Sequence, residues 1–272
     1  VIFDEAHLIT APEYKSVLEF IAPNTKTDII GLTATPGRSF LKDVGQDVEL
    51  ADFFNRKKVS LNIEGYASPI NYLQDQGFIA KIINEPITYY ADANLTLTQQ
   101  EKEDILAGKE IHENIIDKIS NDSTRMSKII TRTLEEANNK ENKILLFAPT
   151  VPQAHAITAL LKRNNLKAEV VTSKTNPDDR RKFIEEFKNT DNVQILVNYG
   201  VLTTGFDAPK ANVAIIARPT DSIILYHQMI GRVARGKKQG GNEFCKIITV
   251  VDQRYGFRDL VESFNFWEDL WD

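Results

Sequence analysis

Short, mostly apolar runs alternate with longer amphipathic segments throughout the second half of the chain. Runs of four or five mostly apolar residues, bounded by polar turns, are typical of buried strands. They fall at residues 144–147, 168–171, 193–197, 213–217 and 247–251. Segments with helical spacing of their apolar residues lie between them, at 152–163, 177–188 and 222–230. Strands that alternate with helices of this length predict an α/β fold with a doubly wound parallel sheet.

The first sixty residues show the same alternation once. Residues 1–3 and 29–32 are apolar, and they predict two buried strands at 1–3 and 28–32. Thr10-Ala-Pro-Glu13 has the form of a capping box with a proline at the first helical position, so a helix is expected to run from there to about Ile21. A strand, a helix and a second strand form a parallel crossover unit.

Residues 61–140 predict a connector with a small helical insertion and no chemistry of its own. Ser68-Pro69 predicts a short helix that ends at Gly77, and residues 82–90 are expected to be extended. Thr98-Gln-Gln-Glu101 is a second capping box, and polar amphipathic helices are expected after it.

Composition limits the class of protein. The net charge of −5 argues against a protein that binds nucleic acid over a wholly basic surface, but it permits a basic cleft. No run of 18 apolar residues or signal peptide is visible, so no membrane partner is expected. The single cysteine, Cys245, lies in an apolar run and is expected to be a buried structural thiol. One cysteine fits a reducing compartment, and we expect a cytoplasmic protein.

Asp4-Glu5-Ala6-His7 follows the first predicted strand directly. Two adjacent carboxylates at the carboxyl end of a parallel strand suit a Mg²⁺-nucleotide site, since one can hold the metal while the other polarises the attacking water. Thr33 and Thr35 follow the next strand. Acids at a strand end are also common as solvated residues, and threonines there often only form turns.

Two further segments carry residues suited to phosphate. Arg232 and Arg235 lie three residues apart on a predicted helical stretch, where they can reach one phosphate group together. Residues 201–209 combine hydroxyls and a glycine at a strand end, which can hydrogen-bond phosphates without steric cost. A solvated helix end and a simple turn are the respective alternatives.

These segments, in this order, resemble motifs II to VI of the superfamily 2 helicases and translocases, in the D-E-A-H variant. Motif II is Asp4–His7, motif III contains Thr33 and Thr35, motif IV is 146–150, motif V is 201–209 and motif VI is 228–235. Residues 205–209, 218–220 and 226–228 are similar to the bacterial and phage branch related to restriction-enzyme motor subunits. The resemblance implies two RecA-like lobes, with an incomplete first lobe at 1–60, the connector at 61–140 and the second lobe at 141–272.

The phosphate-binding loop of the family, G-x-x-x-x-G-K-[ST], is not found in the sequence. In the family this loop lies well upstream of D-E-A-H. We therefore expect the chain to be a piece of a longer polypeptide, to need upstream first-lobe polypeptide as a partner, and to be inactive alone.

The resemblance also implies a role for each matching residue. ATP and Mg²⁺ are the implied cofactors, with Asp4 as the metal ligand and Glu5, Arg232 and Arg235 as catalytic residues. His7, Gly205, Asp207 and Gln228 are implied at the nucleotide, Arg180, Thr203 and Thr204 at nucleic acid, and Thr33 and Thr35 in coupling. A solvated basic face is an equal alternative for Arg180.

The implied function is an ATP-dependent helicase or translocase. Because residue 7 is histidine, duplex DNA is favoured over RNA as the nucleic acid. Two alternatives remain open, which are a non-catalytic nucleic-acid-binding or regulatory module and the motor part of a restriction enzyme.

Overall fold

The computed structural model describes residues 1–22, 27–33, 44–59, 62–66, 68–89, 98–106, 113–202, 206–219 and 223–252. The chain forms two compact units, one with residues 1–60 and the other with residues 61–220 and 225–259 as its main parts. Among the described residues, none of the helices combines the length and the apolar character needed to span a bilayer.

The described part of the first unit contains two short parallel strands and two α-helices. Its elements are β1 (Ile2–Asp4), α1 (Pro12–Ile21), β2 (Ile30–Leu32) and α2 (Val44–Phe53). In the pairing of β1 with β2, Ile2 lies opposite Ile30 and Asp4 lies opposite Leu32. The parallel crossover expected from the sequence is therefore present.

The predicted capping box at the start of α1 is wrong. The helix begins at Pro12, its N-cap is Ala11, and no side chain accepts a hydrogen bond from the first turn. Proline is favoured at the first helical position because its missing N–H is not needed there. Pro12 takes that position, which moves the cap to Ala11 and leaves Thr10 one residue too early.

One face of the β1–β2 pair packs against the helices. Ile9, Leu18, Leu50 and Ala51 form a small buried core. The ring of Phe3 meets that of Tyr14 edge to face, with centroids 5.4 Å apart. The opposite face of the pair is not covered by any described residue, since Ile2 is 70% exposed and Ile30 is 56% exposed.

In the residues that the structure describes, the second unit is built on a sheet of seven strands. Its elements are α3 (Pro69–Asp75), β3 (Lys81–Asn84), β4 (Ile87–Tyr89), α4 (Gln99–Leu106), α5 (Glu113–Ser120), α6 (Ser123–Ala137), β5 (Ile144–Phe147), α7 (Val151–Arg163), β6 (Ala168–Val171), α8 (Pro177–Asn189), β7 (Ile195–Asn198), β8 (Val213–Ile216), α9 (Ile223–Gly231) and β9 (Phe244–Asp252). The strand order is β3-β9-β8-β5-β7-β6, and β4 also pairs with β9. All of these pairings are parallel.

Helices cover both faces of this sheet. Buried residues of α5, α6 and α7, such as Ile119, Ile129 and Ile157, share one core with alternate strand residues. On the opposite face, the Tyr226 hydroxyl of α9 lies 3.0 Å from the Thr249 hydroxyl of β9. Parallel strands buried on both faces are nearly all apolar, which explains the uninterrupted apolar runs in the sequence.

Residues 61–140 are more closely joined to the second unit than the sequence indicated. Residues 82–90 were expected to be extended, and β3 and β4 lie there, but both pair with β9, about 160 residues later. α6 also packs against β4 and α7. The unit therefore begins near residue 61, whereas the sequence-based boundary between connector and second lobe lies at 140.

The capping box predicted at Thr98–Glu101 is present in this unit. The backbone N–H of Glu101 donates to the Thr98 hydroxyl at 3.2 Å, and the N–H of Thr98 donates to the Glu101 carboxylate at 2.7 Å. The Asn176 side chain accepts from the N–H of Asp178 at 2.9 Å and so caps α8. Cys245 is buried within β9, and burial raises the pKa of its thiol to about 12.

Candidate functional site

The Asp4–Glu5 turn of the first unit holds a strained backbone. Asp4 is the last residue of β1, and Glu5 follows with φ 55° and ψ 49°. A non-glycine residue in this left-handed region costs roughly 1–2 kcal/mol. An Asp4 carboxylate oxygen accepts a hydrogen bond from the Glu5 N–H at 2.9 Å. Strain of this kind is concentrated at functional sites, where it aims a side chain in a required direction.

His7 connects this turn to the end of the neighbouring strand. Its side chain is buried, and its Nδ1 lies 3.4 Å from a Glu5 carboxylate oxygen and 3.3 Å from the Thr33 hydroxyl. Thr33 directly follows β2, so the parallel pairing of β1 and β2 brings these three residues together. The structure thus joins the predicted catalytic acid to one of the two predicted coupling threonines.

Arg232 and Arg235 of the second unit lie beyond a helix rather than on it. α9 ends at Gly231, Arg232 lies in a turn, and Arg235 forms an isolated antiparallel bridge with Ile79. The prediction that one helical stretch carries both arginines is therefore wrong. Its physical reason is that the backbone after Gly231 leaves the helix and pairs with residues 78–80 instead.

Both arginines nevertheless meet the same segment. Arg232 Nη1 donates to the carbonyl of Phe206 at 2.5 Å, and Arg235 Nε lies 3.4 Å from a carboxylate oxygen of Asp207. These contacts bring the predicted motif V and motif VI together. Asp207 and Arg235 are both partly exposed, so this ion pair is worth about 1 kcal/mol at most and can be exchanged for another partner.

α9 carries two more residues shortly before Arg232 in the sequence. Gln228, predicted at the nucleotide, is half-buried on the helix. Its neighbour His227 is buried enough that desolvation lowers the pKa of the imidazole to about 4. His227 is therefore neutral at physiological pH.

Polar groups collect at the carboxyl ends of β5, β7 and β6. Arg180 Nη2 donates to the carbonyl of Thr172, just after β6, at 2.8 Å. Its buried Nε has no hydrogen-bond partner among the described residues, and neither have the buried oxygens Gln153 Oε1 and Asn198 Oδ1. Leaving such an atom unpaired costs about 1–3 kcal/mol, so this edge has unused hydrogen-bonding capacity.

Sequence reasoning missed a stacked pair at the same edge. The Arg218 guanidinium lies over the ring of Tyr199 at 4.9 Å. Tyr199 follows β7 and Arg218 follows β8, so each lies where a parallel strand ends. An arginine two residues after an apolar run was the only available signal.

The predicted residues Thr35, Thr203, Thr204 and Gly205 lie outside the described residues.

Part of the second unit matches a known protein family. Residues 125–237 match the family model of the helicase conserved C-terminal domain, a segment that runs from within α6 to beyond α9 and includes both arginines. The second unit is a superfamily 2 helicase-type C-terminal lobe.

Relatives extend the likeness over nearly the whole chain. A 51.5 kDa protein of a Lactococcus phage is 23% identical over all of this chain and 53% of its own length. A Saccharomyces cerevisiae protein named as a candidate ATP-dependent helicase, IRC3, is 27% identical over 92% of this chain and 34% of its own length. The chain thus spans between a third and about half of these relatives.

A solved structure shows the same fold. A fragment of a candidate HsdR subunit of a type I restriction enzyme from Vibrio vulnificus superimposes with a TM-score of 0.57. The match covers 91% of this chain and 44% of that fragment at 19% identity. A likeness at this identity concerns the fold alone.

His227 makes the stability of the helicase lobe depend on pH. Its pKa is about 4 when folded and near 6.5 when exposed, so the unfolded chain binds a proton first as the pH falls. Stability is therefore fully present above pH 6.5 and is lost progressively down to pH 4, by on the order of 3 kcal/mol. We expect the free energy of unfolding, measured with urea, to fall between pH 7 and pH 5. We expect His227→Gln to reduce this fall. Parallel pH profiles for the two proteins would contradict the assignment.

Proposed function

We propose that this chain is the helicase-type part of an ATP-dependent motor that moves along nucleic acid. The observation that carries the proposal is the meeting of Arg232 and Arg235 with residues 206–207 in a helicase C-terminal lobe. In this proposal a longer polypeptide, here called the parent, supplies the phosphate-binding loop that the sequence lacks.

Asp4 fits the role of a Mg²⁺ ligand. Its carboxylate is exposed at the carboxyl end of β1. Among the described residues, no group of three or more His, Cys, Asp or Glu side chains could hold a metal by itself. Mg²⁺ is usually bound by one or two carboxylates, with phosphate oxygens and water as its other ligands. When bound with ATP, Mg²⁺ would stabilise the negative charge of the phosphates.

Glu5 is the residue placed to activate water. Its left-handed backbone and the contact with His7 hold the carboxylate beside Asp4. It would orient the attacking water and accept its proton, as a general base does. Because His7 also reaches Thr33, a shift of the strand end after β2 would alter the position of Glu5. Thr33 and Thr35 would in this way couple the acids to the second lobe.

Arg232 and Arg235 would stabilise charge on the transferring phosphoryl group. The weak pairing of Arg235 with Asp207 keeps the guanidinium near its working position until a phosphate replaces the carboxylate. An arginine supplied in this way is worth about 10³–10⁵ in rate in related phosphoryl-transfer reactions. The nucleotide would in addition be contacted by Gly205, Asp207 and Gln228.

Nucleic acid would run along the carboxyl ends of β5, β7 and β6. Arg180 has a buried N–H to offer, and helices α7 and α8 begin at this edge. Helix N-termini carry partial positive charge and attract phosphates. Thr203 and Thr204 would add hydroxyl contacts. DNA is proposed over RNA because residue 7 is histidine, as in the DEAH-type motors.

Polypeptide of the parent is proposed to cover the exposed face of β1 and β2. Ile30→Ser should therefore change the melting temperature of this 272-residue chain little, since Ile30 is 56% exposed. In the parent the same substitution should lower stability by about 1–3 kcal/mol, because the side chain is then buried. Leu50→Ala, at a buried position, should destabilise both proteins. Equal effects of Ile30→Ser in chain and parent would contradict the proposal.

ATP hydrolysis tests the assignment of the catalytic residues. In the parent, Glu5→Gln and Arg235→Ala should each reduce nucleic-acid-stimulated hydrolysis by roughly 10²-fold or more and keep most of the ATP affinity. The 272-residue chain alone should show no meaningful turnover, because positioning supplies most of phosphoryl-transfer catalysis. Steady-state phosphate release, with and without DNA or RNA, and a nucleotide titration measure these effects.

Matched controls come from ion pairs away from the site. Glu49→Gln removes a carboxylate that pairs with Lys15 in the first unit, and Lys162→Ala removes a cation that pairs with Glu169 in the second. Both should keep the wild-type rate. Robust turnover by the chain alone, or a wild-type rate in either catalytic variant, would overturn the assignment.

Arg180 provides a test of the nucleic-acid site. Binding of single-stranded and duplex DNA to this chain should be weak and strongly salt-dependent, since its contacts are to phosphates. Arg180→Ala should weaken binding and reduce the slope of log K against log salt by roughly one. Arg181→Ala removes the same charge from an exposed neighbour that pairs with Asp178, and should leave the slope nearly unchanged. Equal effects of the two substitutions would indicate a general basic face instead.

A further inference from the structure

The backbone around Arg235 is held by a segment more than 150 residues earlier in the chain. The N–H of Ala80 donates to the carbonyl of Ala234 at 3.0 Å, and the N–H of Gly236 donates to the carbonyl of Phe78 at 3.0 Å. The N–H of Lys238 donates to the carbonyl of Gly77 at 2.9 Å. Residues 77–80, here called the clamp, thus run antiparallel to residues 234–238.

The two segments approach more closely than side chains would allow. A Cβ atom at position 236 would collide with the carbonyl of Gly77, and one at position 241 would collide with the carbonyl of Arg235. Gly77 itself has φ +73°, a conformation that other residues rarely adopt. The carbonyl of Arg235 also accepts from the N–H of Asn242 at 2.9 Å. Backbone contacts therefore fix the Cα of Arg235 on both sides.

The clamp is in turn fixed to α3. The N–H groups of Phe78 and Ile79 donate to the carbonyl of Leu73 in α3, at 2.8 and 3.2 Å. The Gln74 side chain donates to the carbonyl of Ala80 at 3.3 Å. β3 begins directly after the clamp and pairs with β9. A displacement of α3 would accordingly move residues 77–80 and, with them, Arg235.

We propose that residues 77–80 are a positioning element for Arg235. Through this element, the segment 68–80 determines the position of the arginine side chain and thereby its contribution to ATP hydrolysis. This inference rests on the proposed ATP hydrolysis but assigns a role to a part of the chain that carries no chemistry of its own. A long arginine side chain needs a fixed Cα to reach one phosphate reproducibly, and a misplacement of about 1 Å can cost 10²-fold in rate.

Gly77→Ala and Gly65→Ala form a matched pair for the test. Both glycines have positive φ, +73° and +85°, and neither has a close atom where the Cβ would go. The backbone strain introduced is therefore similar, but only Gly77 belongs to the clamp. Gly236→Ala lies opposite the clamp and disrupts the same contact by collision with Gly77 rather than by strain; it and Gly77→Ala are together called the clamp variants.

The first measurement is a double-substitution cycle on ATP hydrolysis by the parent. Gly77→Ala and Gly236→Ala should each lower kcat about tenfold or more, with the KM for ATP changed by less than about twofold. In an Arg235→Ala background the same substitutions should change kcat by less than about twofold, because the residue through which they act is gone. Gly65→Ala should leave kcat unchanged in both backgrounds. An equal loss with and without Arg235, or no loss in either clamp variant, overturns the inference.

The second measurement needs no activity. In the 272-residue chain, the ¹⁵Nε–H resonance of Arg235 reports its side-chain environment beside Asp207. Gly77→Ala should shift this resonance, and Gly65→Ala should not. If the wild-type parent hydrolyses no ATP, the proposed function fails, and this resonance alone decides the inference. If Gly77→Ala does not shift the Arg235 resonance, the inference is overturned.

Discussion

Parallel pairing of strands is the constraint from which the candidate sites of both units follow. In a parallel pair all strands end at the same edge, so the residue after each strand lies beside the residue after its neighbour. Asp4 opposite Leu32 places Glu5 beside Thr33, and Phe147 lies opposite both Asn198 and Ile216. The central strands β5, β7 and β8 are buried on both faces, which leaves their ends as the places for polar chemistry. The residues that follow β1, β2, β5, β6 and β7 thereby lie along one edge of their sheet, whereas Arg235 pairs with residue 79, shortly before β3 begins.

Much of the fold was predictable because its signals are local. The apolar runs of β5 to β8 and the caps at Asn176 and Thr98 each depend on a few neighbouring residues. The partners of β3 and β4 were not predictable, because an extended segment does not reveal that its partner, β9, lies some 160 residues later. The same limit explains the error at Arg232 and Arg235. A helix was the natural local solution, and only pairing with residues 78–80 draws the backbone out of it.

The candidate site was predictable by residue type, but its connections were not. Asp4, Glu5 and His7 are adjacent in sequence, whereas the link from His7 to Thr33 needs the β1–β2 register. The unpaired atoms of Gln153 and Asn198 are likewise a property of packing. Of the unpaired atoms at this edge, Arg180 Nε is a donor and suits a phosphate oxygen, whereas the two amide oxygens are acceptors and suit a partner that donates. The negative net charge of the chain is no obstacle, because a local arrangement of donors decides phosphate binding.

The two candidate catalytic groups are held by different physical means. Glu5 is aimed by a strained backbone and by a buried histidine, both within a few residues of the acid. Arg235 is aimed from a distance, by glycine contacts that exclude side chains and by hydrogen bonds to residues 77–80. Backbone contacts between close-packed segments have little freedom to adjust, since interiors transmit small shifts instead of absorbing them. A local device keeps the acid constant, whereas a device that includes the connector helix makes the arginine responsive to what the connector does. In the proposed motor, that division would suit a reaction that waits for a second group to arrive, because only the arriving group would then need to be adjustable.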